Sequence, residues 1–157
     1  EPHKLIASLM YGSGLRVVEA CRLRIKDIDF DRQIITVRSG KGDKDRTTLL
    51  PTSLIEPLRE RRARIQRAWR KQDAFYQCDA SLPYALRRKY PNAARSLEWQ
   101  WLFPSQGLCA DDEGNIVRHH LHVNAVQTLL GHADVRTTQI YTHVLGNAFA
   151  GVQSLLG

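Results

Sequence analysis

Three cysteines, an odd number with no Cys-x-x-Cys spacing, give this 157-residue chain no basis for a disulfide framework. Cys21, Cys78 and Cys109 therefore fit a reducing, cytoplasmic setting. No apolar run approaches the ~18 residues that a membrane span needs. No charged-then-apolar leader opens the chain, so neither export nor a membrane is expected. Internal repeats and low-complexity tracts are lacking too. Acidic residues are scarce beside basic ones: 16 Asp and Glu against 23 Lys and Arg leave a net charge of +7 and a pI near 9.7. That imbalance favours a polyanionic partner. It fits nucleic acid, or simply a soluble basic protein. Apolar residues are plentiful at 43%, enough for one domain with a real core. The opening EPHKLIASLMY starts inside a helical pattern, so the chain reads as part of something longer.

The pattern along the chain predicts an α+β fold, mostly helical, with a small antiparallel hairpin. Leu5, Ile6, Leu9 and Met10 recur at helical spacing until GSG at 12–14 breaks the helix. A second helix opens near Leu15 and Arg16 and carries Val17, Val18 and Cys21. Ile34–Val37 and Thr47–Leu50 suit two strands, with SGKGDKD as a Lys-rich turn. Residues 52–72 suit a helix capped by Thr52 or Ser53 with Glu56 behind. Seven of the 13 residues from 59 to 71 are Lys or Arg, a phosphate-facing surface or a solvated face. Residues 73–105 interleave aromatics with Arg87, Arg88, Lys89 and Arg95. They suit stacking on unpaired bases or an insertion's own small core. Residues 106–117 read as an exposed loop, and HHLHVNAVQTLLGH as a helix running into Gly131. The tail from Val144 to Leu156 is an apolar stripe that fits a partner surface or its own domain.

Residues 129–143, LLGHADVRTTQIYTH, raise the question of what Tyr141 does. A core tyrosine needs only a hydrogen-bond partner. A nucleophilic one needs neighbours that take its proton and absorb developing charge. Together with SGLRVVE at 13–19 and GKGDKDR at 40–46, this stretch resembles the signature boxes of tyrosine recombinases, the phage-type integrases, in the family's order. LPYALRRKYP, EWQWLFPS and RHHLHVNAVQ resemble the added segment of integron integrases. The resemblance covers nearly the whole chain as a single, partial catalytic domain. Residues 73–122 form its inserted segment, and the family's N-terminal DNA-clamping domain is not represented.

The resemblance implies attack by Tyr141 on a DNA phosphodiester, leaving a 3′-phosphotyrosine and a free 5′-hydroxyl. No cofactor or metal is needed if cations neutralise the phosphate. Arg16 becomes a phosphate fork aided by helix amides, where the residues alone favour an exposed ion pair with Glu19. Glu19 becomes the group that positions it. Lys41 at the hairpin tip protonates the leaving oxygen, with Lys44 as its rival; the residues alone also fit a solvated turn lysine. His132 hydrogen-bonds the phosphate or caps a helix end. His143 is supporting. Lys44 and Arg46 join the DNA contacts. Trp99, Trp101, His119 and His120, with Pro104 as a wall, become receivers of extrahelical bases in folded single-stranded sites. The partners implied are DNA, duplex and folded single-stranded, and further copies of the chain bound through the C-terminal segment.

One box of the family has no counterpart here. A His-x-x-Arg helix belongs between the insertion and LLGH, yet HHLHVNAVQ runs straight into TLLGH. Arg118 and Arg136 are the nearest arginines, and neither is in the pattern. The expectation is weak or absent DNA cleavage with retained DNA binding. Two alternatives stand: a non-catalytic DNA-binding remnant, and a metal site built from Cys109, His119, His120 and His122.

Overall fold

A computed structural model describes residues 2–38, 44–76, 78–124 and 126. Helix α1, Pro2–Ser13, buries Ile6, Leu9 and Met10 on one side. It ends where Gly14 adopts φ +63°, a left-handed conformation that any side chain would strain. The chain then turns into the short helix α2, Val17–Cys21, whose Val17, Ala20 and Cys21 are buried. Strands β1 (Ile28–Asp29), β2 (Ile34–Val37) and β3 (Arg46–Leu49) form an antiparallel sheet in that order. The expected hairpin is β2 and β3, with Val37 opposite Arg46. Two-residue β1 adds an edge by pairing Ile28 with Ile35, and is too short to leave a period-2 signal.

Helix α3, Thr52–Arg70, buries Leu54, Leu58 and Ile65 along one face. The expected cap is not formed. Pro51 takes the N-cap position without a side-chain hydrogen bond, and Thr52 is already helical. Most of the helix's cations face solvent, but Arg61 donates from Nε to the Leu102 carbonyl at 3.0 Å.

Residues 78–120 contain β4 (Asp79–Ala80), α4 (Tyr84–Lys89), β5 (Pro104–Ala110) and β6 (Ile116–His120). The sheet order is β4-β6-β5, with β4 parallel and β5 antiparallel to β6. This corrects two expectations. Residues 106–117 are not a loop but most of a β-hairpin, turned by Asp111, which accepts the amides of Glu113 and Asn115. His119 and His120 lie on strand β6, not on a helix, because pairing of His120 with Pro104 and Arg118 with Leu108 overrides the local helical pattern.

Residues 100–103 are sewn to the core by backbone bonds. The Leu102 amide bonds the Leu23 carbonyl at 2.8 Å, and the Ile25 amide bonds the Gln100 carbonyl at 3.1 Å. Leu102 and Phe103 share one apolar cluster with Ile6, Leu9, Leu15, Leu23 and Leu58. The chain is an α+β fold with two small three-stranded sheets among the described residues. Among the described residues, no helix is long and apolar enough to cross a membrane.

Candidate active site

Arg16 sits where the chain enters α2, with φ −68° and ψ 151°. Glu19, one turn later, reaches back to it. The Arg16 amide donates to Glu19 Oε2 at 2.8 Å, and Arg16 Nη1 donates to Oε1 at 3.1 Å. The backbone half of this is the capping-box arrangement, in which a third-position carboxylate takes the amide at the helix entrance. Glu19 therefore occupies the amide expected to face a phosphate, and α2 has only five residues. The group left partly exposed at this entrance is the Arg16 side chain.

A second guanidinium joins them. Arg46, the first residue of β3, donates from Nη2 to Glu19 Oε2 at 2.8 Å. Glu19's side chain is only 7% exposed, while those of Arg16 and Arg46 are 33% and 37% exposed. A buried carboxylate is thus matched by two cations whose ends reach solvent. The sheet is held in place here by Thr48, whose hydroxyl donates to the Ser13 carbonyl at 2.8 Å.

The same device recurs eight residues on. The Arg24 amide donates to Asp27 Oδ2 at 2.9 Å, and Arg38 Nε donates to Asp27 Oδ1 at 2.9 Å. Arg38 follows β2 and Arg46 opens β3. Two buried carboxylates, Glu19 and Asp27, therefore hold the two ends of the loop that contains Lys41. Sequence reasoning missed Asp27 and Arg38. The signal was the repeated Arg-x-x-acid spacing, RVVE and RIKD.

A second group of expected residues gathers around Arg24, which is 6% exposed. Its Nη1 donates to the Trp99 carbonyl at 2.5 Å and its Nη2 to the Ser81 carbonyl at 2.7 Å. Its guanidinium lies 3.5 Å from the Trp101 ring centroid. Burial pushes the Arg24 pKa down to about 10. Trp101 is itself 8% exposed and donates from Nε1 to the Arg118 carbonyl at 3.0 Å. His120 meets it edge-on at 5.3 Å. Its ring is therefore packed on both counts, the geometry of an insertion's own core. Trp99 is half-buried, with the Lys26 ammonium 2.8 Å from its ring centroid. Burial, with help from Arg38, lowers the Lys26 pKa to about 8. Trp99 also lines a cavity of about 600 Å³ with Tyr90, Pro91 and Asn92. Burial holds both His119 and His120 below the ordinary histidine pKa, favouring the neutral ring.

Arg118 is spent on structure. It is 5% exposed and donates to the Phe75, Ser105 and Gln106 carbonyls. Cys21 is buried and its pKa is pushed up to about 12, so it offers no thiolate nucleophile. The His119, His120 and His122 rings lie in a row with centroids 6.0 and 6.3 Å apart. Among the described residues no group of three or more His, Cys, Asp or Glu could hold a metal ion. Lys44 is exposed beside the hairpin loop. Lys41, His132, Tyr141 and His143 lie outside the described residues, as do the apolar tail and Arg136.

The sequence profile of the phage integrase family matches residues 1–107, more than half of the chain and all of the Arg16–Glu19–Arg46 cluster. The chain belongs to the phage integrase family. The chain is 38% identical over 195 residues to an integrase/recombinase of Escherichia coli, covering 98% of this chain and 58% of that protein. It is 34% identical over 148 residues to the tyrosine recombinase XerA of Pyrococcus furiosus, covering 90% of this chain and 50% of that one. The crystal structure of a XerA recombinase superposes with a TM-score of 0.43 at 23% identity, covering 91% of this chain and 52% of that one. The phage integrase chain thus spans about half the length of the curated relatives it matches. The aligned stretch with the Escherichia coli protein, 195 residues, is longer than the whole of this chain, 157 residues. The relative therefore carries aligned positions that this chain lacks.

Proposed function

We propose that this chain is a catalytic portion of a site-specific DNA recombinase of the integron-integrase type. In this reading Tyr141 attacks a DNA phosphodiester and keeps the bond energy in a 3′-phosphotyrosine, freeing a 5′-hydroxyl. Arg16, oriented by Glu19, holds the non-bridging oxygens. Lys41 on the loop between β2 and β3 gives its proton to the leaving oxygen, and His132 bonds the phosphate. The observation that carries the reading is the Arg16–Glu19–Arg46 cluster. Two partly exposed guanidinium groups share a buried carboxylate at the base of the Lys41 loop. Residues 73–122 belong to the reading as the segment that receives unpaired bases. Trp99, which is only partly buried, is better suited to that task than the packed Trp101. The apolar segment 144–156 bridges copies on DNA; sedimentation with and without residues 146–157 tests it.

The chain's activity is impaired in this proposal. The aligned stretch longer than the chain supports a missing segment, and the sequence locates the gap between Gln127 and LLGH, where a His-x-x-Arg box is expected. One preorganised donor is typically worth about 10²–10³ in rate, and the lost arginine costs at least that. The same observation favours a second reading, a DNA-binding remnant without chemistry. A suicide substrate separates the two: a bulged DNA hairpin that loses its 5′-hydroxyl fragment on cleavage, run on a denaturing gel with Tyr141→Phe as control. A faint covalent band absent from the control supports the impaired recombinase. Efficient cleavage refutes the impairment, and a shift on a native gel with no covalent band leaves the remnant.

A further inference from the structure

We infer that Arg46 is a second phosphate ligand, and that Arg16 and Arg46 grip one DNA phosphate together from the two oxygens of Glu19. The inference rests on the proposed DNA-phosphate site and adds a residue to it. Arg16 Nη1 meets Glu19 Oε1 and Arg46 Nη2 meets Glu19 Oε2, at 3.1 and 2.8 Å. One carboxylate so fixes the tips of two guanidinium groups beside one another. Two arginines against one acid leave a surplus of one positive charge, and both arginine side chains are about one third exposed. A guanidinium has five N–H donors in a rigid fork, so a contact with Glu19 does not exhaust it. A tetrahedral phosphate presents several acceptor oxygens and suits two forks converging on it.

Position adds a second argument. Arg46 lies on β3 opposite Val37, anchored at the base of the Lys41 loop, while Arg16 comes from the α1–α2 turn. The cluster thus joins two separate parts of the fold, as a phosphate clamp must. Glu19 supplies what a pair of neighbouring cations lacks by itself, a countercharge that keeps them close while no DNA is bound. A purely structural role for Arg46 would be to neutralise buried Glu19, and that role makes a different prediction.

The test is the salt dependence of binding to a 20-base-pair DNA duplex, measured for the full chain as Kd against salt concentration. Each protein-contacted phosphate contributes about 0.9 to the slope of log K against log salt. If one phosphate is shared, Arg16→Gln and Arg46→Gln each weaken binding about tenfold, as loss of one charge-assisted contact does, with the slope nearly unchanged. The double variant then loses about 0.9 of slope, because the contact is gone. If Arg46→Gln binds like the parent chain, or if each single variant lowers the slope by about 0.9, the shared grip is refuted. The pair Glu19→Gln/Arg46→Gln checks the structural alternative: restored parental affinity means that Arg46 only neutralised Glu19, and persistent weakness supports contact. Arg46→Lys, which keeps the charge, together with circular dichroism of every variant, separates lost contact from lost fold. A double variant with parental affinity and slope removes the phosphate site itself. A failed covalent trap with the expected slopes removes the chemistry and leaves the shared grip standing.

Discussion

Replacing Arg24 by Met tests how the stretch from Ser81 to Trp101 is held to the core. Arg24 stands in a region 94% removed from solvent by its own exposure value of 6%, with two carbonyls, Ser81 and Trp99, leaning on its donors. Met keeps most of the stem's packing but removes every donor. Each orphaned buried carbonyl costs about 1–3 kcal/mol. Loss of the desolvated stacking on Trp101, at 3.5 Å, costs about 2 kcal/mol more. Against this stands the relief of no longer burying a cation, worth several kcal/mol. That relief is real here, since burial is the first cause that pulls the Arg24 pKa down to about 10. The balance is a net loss of about 2–3 kcal/mol, because truncating one member of a buried polar network strands its partners. For a chain of this size that is a drop in Tm of about 5–10 °C. Urea denaturation gives the total. Native-state hydrogen exchange gives the location: protection should fall first at Ser81 and Leu102 and last within α3. An Arg24→Met chain as stable as the parent would refute the reasoning, because desolvation would then outweigh the hydrogen bonds.

Three further outcomes follow from the same contacts. Lys26, pushed down to about 8 by burial, should react with amine-directed esters with a pH midpoint near 8, read by peptide mass spectrometry; a midpoint near 10.5 refutes it. Because the unfolded chain holds that proton between about 8 and 10.5 and the folded one does not, Lys26 makes stability rise with pH over that window, and Lys26→Met should flatten the rise. Burial also lowers the pKa of His119 and His120, so the folded chain binds fewer protons just below pH 6.5. Stability should fall as pH drops through 6.5, and less steeply in His120→Phe; identical urea midpoints between pH 7.5 and 5.5 for both chains would count against it. Asp27→Asn, at a carboxylate 3% exposed that takes the Arg24 amide and Arg38 Nε, should cost about 2 kcal/mol, measured by urea denaturation.

Where the sequence was legible, the reason was local. Helix α1 is written in the spacing of Leu5, Ile6, Leu9 and Met10, its end in Gly14, and strands β2 and β3 in runs of β-branched residues. Arg16 and Glu19 are three residues apart, so their contact needs only one helical turn. Where it was not legible, the deciding partner lay far along the chain. His119 and His120 read as helical until Pro104 and Leu108 pair with their strand. Trp101 reads as a stacking platform until Arg24, 77 positions earlier, fills one face of it. Nothing near Arg46 announces Glu19, which lies 27 residues away. Aromatic and cationic residues mixed in a segment indicate that rings and charges will meet, not whether DNA or the protein supplies the partner.

That ambiguity resolves differently at the two clusters, and exposure is the reason. Around Arg24 the cation is 6% exposed and its donors end on backbone carbonyls, so its charge is absorbed by the fold. Around Glu19 the order is reversed: the acid is buried and the cations reach solvent. A buried cation organises the protein, whereas exposed cations on a buried acid remain available to a polyanion. Both clusters use one construction, an acid three residues after an arginine whose amide it accepts, and each acid then takes a guanidinium from one end of the β2–β3 loop. The loop containing Lys41 is therefore tethered at both ends by charges that do not depend on DNA. In the proposed reading, grip on a phosphate and attack on it are separable: Arg16 and Arg46 would serve the first, and the second rests on residues outside the described ones. Variants of Glu19 and Arg46 should accordingly change how DNA is held even in a chain whose Tyr141 is replaced by Phe.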